Sequence, residues 1–125
     1  MDNSLEKTVL IVDDSEFNIE LVKAIITVDN DIKFIDACDG KEAVDKFERL
    51  CPDLVILDIM MPNMGGVETL KIMKKVNAAT PIIILTAIDN DKTKKTCMDL
   101  GIAGYYIKPL IDNHLSGFVK KLLTQ

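Results

Sequence analysis

Short apolar runs alternate with longer amphipathic segments along the whole chain. The runs are rich in β-branched residues and cover positions 8–12, 32–37, 54–57, 81–85 and 105–107. Runs of this length that are apolar throughout predict strands buried on both faces. The segments between them have helical spacing, so the pattern predicts a regular alternation of strand and helix.

The segment after the first strand carries two neighbouring apolar stripes. The spacing i, i+4, i+7, i+8 and i+11 is typical of a buried helix face and is met by Phe17, Leu21, Ala24, Ile25 and Val28. We expect this stripe to face the core. The adjacent stripe consists of Ile19, Val22 and Ile26, and it either packs against the last helix or forms a docking patch for a partner protein.

Polar residues and glycines mark the ends of the predicted helices. Asp39 precedes Glu42 by three residues, which is a capping-box spacing, and Asp112 or Asn113 can cap the last helix. Gly101 can end the short, lysine-rich fourth helix, at 91–100, in the left-handed conformation. Five strand–helix units predict a doubly wound α/β domain with a five-stranded parallel sheet, occupying residues 1–125 as a single domain.

Composition narrows the class of protein. The net charge is -5 over 125 residues, and Arg49 is the only arginine, which argues against direct binding of nucleic acid. The amino-terminal segment is polar and acidic, and no apolar run approaches the length of a membrane span. We therefore expect a cytoplasmic protein that does not bind membranes. Three widely separated cysteines suggest reduced core thiols, at Cys38, Cys51 and Cys97.

Polar residues gather where the predicted strands end. Asp13 and Asp14 follow the first strand, Asp58 follows the third, Thr86 follows the fourth and Lys108 follows the fifth. In doubly wound sheets, ligands bind outside the carboxyl ends of the strands. These five side chains therefore predict one site at a single edge of the sheet.

The three carboxylates would meet if the first and third strands are neighbours. Their repulsion would cost several kcal/mol at an effective dielectric of about 20, unless a cation lies among them. Oxygen ligands favour a hard ion, and a small site favours Mg²⁺. With Lys108 and Thr86 nearby, Asp58 is placed to act as the nucleophile in phosphoryl transfer.

Four segments are similar to the signature of response regulator receiver domains. They read VDDS at 12–15, LDIMMPNMGG at 57–66, LTA at 85–87 and YYIKP at 105–109. The resemblance spans essentially the whole chain. It implies a flavodoxin-like (βα)5 fold with strand order 2-1-3-4-5, in which Asp58 accepts a phosphoryl group.

The resemblance also implies roles for the residues around Asp58. The expected Mg²⁺ ligands are Asp13, Asp14, Asp58 and the backbone carbonyl of Met60. The expected phosphate contacts are Thr86, Ala87 and Lys108; Thr86 and Tyr105 form the expected switch, and the Lys108–Pro109 bond is expected to be cis.

The family also implies partners for the chain. The expected partners are a sensor histidine kinase or histidine phosphotransfer protein and a downstream protein effector. The expected state is a monomer or a weak, phosphorylation-dependent dimer. His114, the only histidine, is expected to be a solvated surface residue.

Other readings of the sequence stay open. A phosphohydrolase would need a second acid two residues after the nucleophile, where Met60 stands, and a nucleotide or flavin binder would need a glycine-rich loop after the first strand. The chain could also be the receiver part of a longer regulator. The resemblance also implies that the lifetime of the phosphorylated state is tuned two residues after the acceptor aspartate and two after the threonine, which here are Met60 and Ile88. Since neither apolar side chain can orient a water molecule, we expect slow hydrolysis.

Overall fold

The structure, a computed structural model, describes residues 6–26, 32–61, 64–109 and 114–124. Within these ranges five strands alternate with five helices. The elements are β1 (Lys7–Val12), α1 (Glu16–Ile26), β2 (Ile32–Ala37), α2 (Gly40–Leu50), β3 (Leu54–Leu57), α3 (Gly66–Val76), β4 (Ile82–Thr86), α4 (Asp91–Asp99), β5 (Gly104–Ile107) and α5 (His114–Leu123). The predicted alternation is confirmed; β1 and β5 begin one residue before the predicted strands, and β4 is shifted by one residue at both ends.

The strands form one parallel sheet in the order β2-β1-β3-β4-β5. This confirms the expected doubly wound topology. The last residues of neighbouring strands are paired in register, Val12 with Leu57 and Thr86 with Ile107. Residues that immediately follow β1 and β3 are therefore brought side by side at the same edge.

Both faces of the sheet are covered, which explains why the strands are apolar throughout. Leu10 and Val12 of β1 pack into a cluster on one face, while Val9 and Ile11 pack into a second cluster on the other face. Tyr105 and Tyr106 divide between the same two clusters, as the alternation of a strand requires. Burial of each such aliphatic side chain contributes about 1.5–3 kcal/mol.

The prediction for the buried face of α1 is wrong. Phe17 is 75% exposed and Leu21 is 47% exposed, whereas Ile19, Val22 and Ile26 are buried. The buried stripe packs in the same cluster as three residues of the last helix, Leu115, Val119 and Leu123. Both stripes have helical spacing, and the contact with α5 determines which one faces inward. Val28 lies outside the described residues.

The helix ends agree with the sequence where the structure describes them. The Asp39 carboxylate accepts a hydrogen bond from the backbone N–H of Glu42 at 2.8 Å, and Glu42 in turn accepts one from the N–H of Cys38. Gly101 follows α4 with φ of 93°, a conformation that glycine adopts without strain. Asp112 and Asn113 lie outside the described residues.

Two further features concern the cysteines and the helix lengths. All three cysteines are free, but only Cys97 is buried, so the prediction of core thiols is wrong for Cys38 and Cys51, which lie at the surface at the ends of β2 and α2. Among the described residues, no helix is both long enough and apolar enough to span a membrane.

Candidate functional site

The end of β1 positions the first carboxylate. The backbone N–H of Asp13 still donates to the carbonyl of Ala37 in β2, at 3.1 Å, so this residue continues the strand direction. Its Oδ1 accepts a hydrogen bond from the N–H of Ser15 at 2.9 Å, and the residue is only 4% exposed. Asp14, next along the chain, is exposed. The acidic pair thus offers one buried and one solvent-facing carboxylate.

The end of β3 positions the second buried carboxylate. The N–H of Asp58 donates to the carbonyl of Val12 at 2.9 Å, and its Oδ1 accepts from the N–H of Met60 at the same distance. The loop then turns back, so that the N–H of Gly66 reaches the carbonyl of Ile59 at 3.2 Å. A side chain at Gly66 would clash with the backbone of Ile59, so glycine is required for this close approach.

Lys108 connects the two buried carboxylates. Its Nζ lies 2.6 Å from Oδ2 of Asp13 and 2.9 Å from Oδ2 of Asp58. Burial alone would lower the pKa of Lys108, but the hydrogen bonds and charges of both aspartates outweigh it and raise the pKa above its usual value. Lys108 is therefore a fixed positive charge at neutral pH. The Lys108–Pro109 peptide bond is cis.

The three predicted carboxylates form one cluster. Asp13, Asp14 and Asp58 each offer an oxygen, and these atoms lie within 4.8 Å of one another. The Lys108 ammonium pairs with two of these three carboxylates, which leaves an excess of negative charge in the cluster. An all-oxygen donor set with such an excess fits a hard divalent cation.

The end of β4 supplies the third wall of the site. Thr86 is fully buried, and its Oγ1 accepts a hydrogen bond from the N–H of Ile88 at 3.4 Å. The hydroxyl of Tyr105 donates to the carbonyl of the same Ile88 at 2.8 Å. Ala87, which stands between Thr86 and Ile88 in the sequence, is exposed. Ile88 is thus joined through its backbone to both Thr86 and Tyr105.

Tyr105 also makes a contact that the sequence did not reveal. The ammonium of Lys94 in α4 lies 5.9 Å from the centre of the Tyr105 ring. Lys94 precedes the buried Cys97 by three residues, so both lie on the same side of α4. That spacing was the only available signal, and it does not indicate which residue of β5 faces the lysine.

An apolar groove runs beside the site. It has a volume of about 100 Å³ and is lined mainly by Leu21, Val22 and Ile25 of α1, with Lys108 and Pro109 at the end of β5. Outside the groove, the exposed Phe17 lies on the same helix. The stripe of α1 that was predicted to face the core therefore forms an apolar surface, part of which lies next to Lys108.

The response regulator receiver domain family matches residues 9–120. The chain is 39% identical over 104 residues to a protein-glutamate methylesterase/protein-glutamine glutaminase from Treponema denticola, covering 81% of this chain and 28% of that protein. It is 34% identical over 120 residues to the chemotaxis protein CheY of Halobacterium salinarum, covering 96% of this chain and 99% of that protein. The chain thus spans less than a third of the first relative and nearly all of the second.

Solved structures show the same likeness in three dimensions. A chain in the crystal structure of the CheX-CheY-BeF3-Mg²⁺ complex from Borrelia burgdorferi superposes with a TM-score of 0.86 at 31% identity, covering 95% of this chain and 90% of that chain. The fold, the acidic cluster at the strand ends and the match along 9–120 agree. The chain therefore belongs to the response regulator receiver domain family of two-component signalling.

Proposed function

We propose that Asp58 accepts a phosphoryl group from a histidine kinase or a histidine phosphotransfer protein. The observation that carries this proposal is the hydrogen bonding of one partly buried ammonium, that of Lys108, to both Asp13 and Asp58. An Asp58 oxygen forms the new bond to phosphorus while the bond from phosphorus to the donor's imidazole nitrogen breaks. The imidazole leaves with the electron pair of that bond.

The surrounding side chains have distinct roles in this reaction. Asp13, Asp14, Asp58 and the backbone carbonyl of Met60 would hold Mg²⁺, which supplies positive charge to the transferring oxygens when bound. Lys108, bonded to Asp13 and Asp58, provides a second, fixed charge and moves no proton, because its raised pKa keeps it charged. The Thr86 hydroxyl and the backbone at Ala87 would contact the phosphoryl oxygens. In this proposal the chain is a phosphoacceptor that assists its own phosphorylation, not an enzyme with a separate substrate.

The acceptor assignment is tested by labelling. Acetyl phosphate should label the wild-type chain in the presence of Mg²⁺, and the label should map to Asp58 and be lost in Asp58→Asn. Glu68→Gln, which removes a carboxylate from α3 instead of from the site, should be labelled like wild type. Label at Ser15 or His114 would overturn the assignment.

The contacts of Ile88 support a switch from Thr86 to Tyr105. If Thr86 moves toward a phosphoryl group, its long 3.4 Å hydrogen bond to the Ile88 N–H is altered. A resulting shift of the Ile88 backbone displaces the carbonyl to which the Tyr105 hydroxyl is bonded. Helix α4 has one buried residue, Cys97, so it is held weakly and can move with this loop. Amide shifts in α4, β5 and α5 on phosphorylation would support the switch, and shifts limited to the metal loops would contradict it.

Receiver domains interact with histidine kinases and with output effectors, and the apolar groove supports a docking surface for the phosphoryl donor. Leu21 is exposed in the groove next to the end of β5, where the donor's histidine must approach Asp58, and Phe17 is exposed one turn earlier on α1. Phe17→Ala should slow transfer from a phosphorylated histidine phosphotransfer protein and leave labelling by acetyl phosphate unchanged. The control Val76→Ala removes another exposed apolar side chain, from α3, and should affect neither reaction. Equal slowing of both reactions in Phe17→Ala would contradict docking at this face.

Met60 and Ile88 also support a long-lived phosphorylated state. The Met60 side chain is 60% exposed beside Asp58, and Ile88 packs partly against the core. Neither can orient an attacking water, an effect worth roughly 10²-fold where polar residues provide it. Met60→Asn with Ile88→Glu should therefore speed the loss of radiolabel. Decay no faster in the double variant, or decay of wild type within seconds, would contradict this explanation.

A further inference from the structure

Tyr105 is held from three directions in this structure. Its hydroxyl donates to the Ile88 carbonyl at 2.8 Å, and its ring packs partly against the core cluster that contains Cys97. The third contact is the Lys94 ammonium, 5.9 Å from the ring centre. Two of these contacts come from the backbone and the core, whereas the third depends on one exposed, charged side chain.

The Lys94 contact has the geometry of a cation–π interaction. A tyrosine ring attracts a cation placed over its face within about 6 Å of the centroid. Burial, followed by the negative charges of Asp89 and Asp58, raises the pKa of Tyr105, so the hydroxyl stays protonated and remains a hydrogen-bond donor at neutral pH. The ring therefore stays neutral and electron-rich beneath the ammonium.

We infer that Lys94 is a positioning residue that holds Tyr105 in its inward position and thereby sets the balance of the switch. The inference rests on the proposed switching role of Tyr105 and adds to it a side chain of α4. Removing the charge of Lys94, by substitution or by acetylation of the amine, releases the ring toward solvent. Ile88 is bonded through its backbone to both Tyr105 and Thr86. The loss of the Lys94 charge therefore also loosens the position of Thr86, which contacts the phosphoryl group in the proposed function.

The position of Tyr105 can be measured directly because the chain contains only two tyrosines. Protein labelled with fluorotyrosine gives two fluorine resonances, which Tyr106→Phe assigns. A soluble gadolinium chelate broadens the Tyr105 resonance in proportion to its exposure, and the Tyr106 resonance serves as an internal reference. The measurement needs no phosphoryl donor, so it can fail while phosphorylation at Asp58 succeeds, and the reverse.

The expected result is an outward population of Tyr105 raised about two- to fivefold in Lys94→Gln, the range expected for an exposed cation–π contact. Lys94→Arg keeps the charge and should restore the wild-type value. Lys95→Gln removes the same charge from the next residue, which pairs with Asp99 instead, and should leave Tyr105 unchanged. Melting temperatures should be the same in all variants, since Lys94 is exposed.

Three results would overturn the inference. One is an unchanged Tyr105 exposure in Lys94→Gln, and another is an equal change in Lys95→Gln, which would point to the overall charge of α4. The third is a failure of Lys94→Arg to restore the wild-type value, which would mean that the charge above the ring is not what positions it.

Discussion

Replacing Lys108 by methionine tests whether one ammonium compensates two buried carboxylates. The side chains of Asp13 and Asp58 are 5% and 7% exposed, and that of Lys108 is 19% exposed, so water replaces the lost partner poorly. Breaking a buried ion pair by removing one partner costs about 3–5 kcal/mol. Each aspartate keeps one backbone N–H donor, so we expect the lower end, a loss of about 3 kcal/mol of unfolding free energy without divalent cations.

Urea unfolding at neutral pH measures this loss. In the presence of a chelator, Lys108→Met should unfold at a lower urea concentration than wild type with the same slope. Mg²⁺ at a hundred times its dissociation constant stabilises a protein by about 2.7 kcal/mol. In wild type the Lys108 ammonium competes with Mg²⁺ for the same carboxylate oxygens, and the variant lacks this competitor. The variant should therefore bind Mg²⁺ with a lower dissociation constant, and a given Mg²⁺ concentration should stabilise it more than wild type.

The control is Lys95→Met, which breaks an exposed ion pair with Asp99. Such pairs contribute about 0.2–1 kcal/mol, and this change should not depend on Mg²⁺. The reasoning is refuted if Lys108→Met is as stable as wild type in chelator. It is also refuted if Mg²⁺ stabilises both proteins equally.

Three further predictions concern the fold around the site. Ile19→Ala should lower the unfolding free energy by about 2–5 kcal/mol because it empties a packed position, whereas Phe17→Ala should change it by less than about 0.5 kcal/mol in urea unfolding. A thiol reagent at neutral pH should modify the exposed Cys38 and Cys51 in the folded protein and Cys97 only on unfolding, because burial hides the Cys97 sulfur. The Cys38 N–H and then the Lys46 ammonium lower the pKa of Glu42 in the folded protein. The ionised carboxylate therefore stabilises the fold at pH values above the unfolded pKa of about 4.3, and this stabilisation is lost as the pH falls through the lower folded pKa. The stability advantage of wild type over Glu42→Gln in urea should accordingly vanish in acid.

The sheet and the site edge could be predicted because each depends on a local pattern. A short run that is apolar throughout and rich in β-branched residues favours a strand covered on both faces, and a polar residue that follows such a strand lies at the sheet edge. Asp13, Asp58 and Lys108 were placed by this rule alone, and the structure brings them into contact.

The orientation of α1 could not be predicted in the same way. Its two apolar stripes both satisfy helical spacing, and only their contacts with a helix almost a hundred residues later distinguish them. The contact between Lys94 and Tyr105 could not be predicted for the same reason, because it depends on how α4 is oriented relative to β5. Local periodicity identifies an amphipathic helix, but the rotation of that helix is decided by distant partners.

The ion pair between Lys108 and Asp13 joins residues 95 positions apart, from the last strand and the first. The pair therefore exists only when β5 has been added to the edge of a sheet that already contains β1, β3 and β4. During synthesis the ribosome must release the segment from β1 through β5 before the acidic cluster acquires its counter-charge. Competence to accept a phosphoryl group should consequently appear only once β5 has joined the sheet, and nascent chains that still lack β5 should not consume the phosphoryl donor.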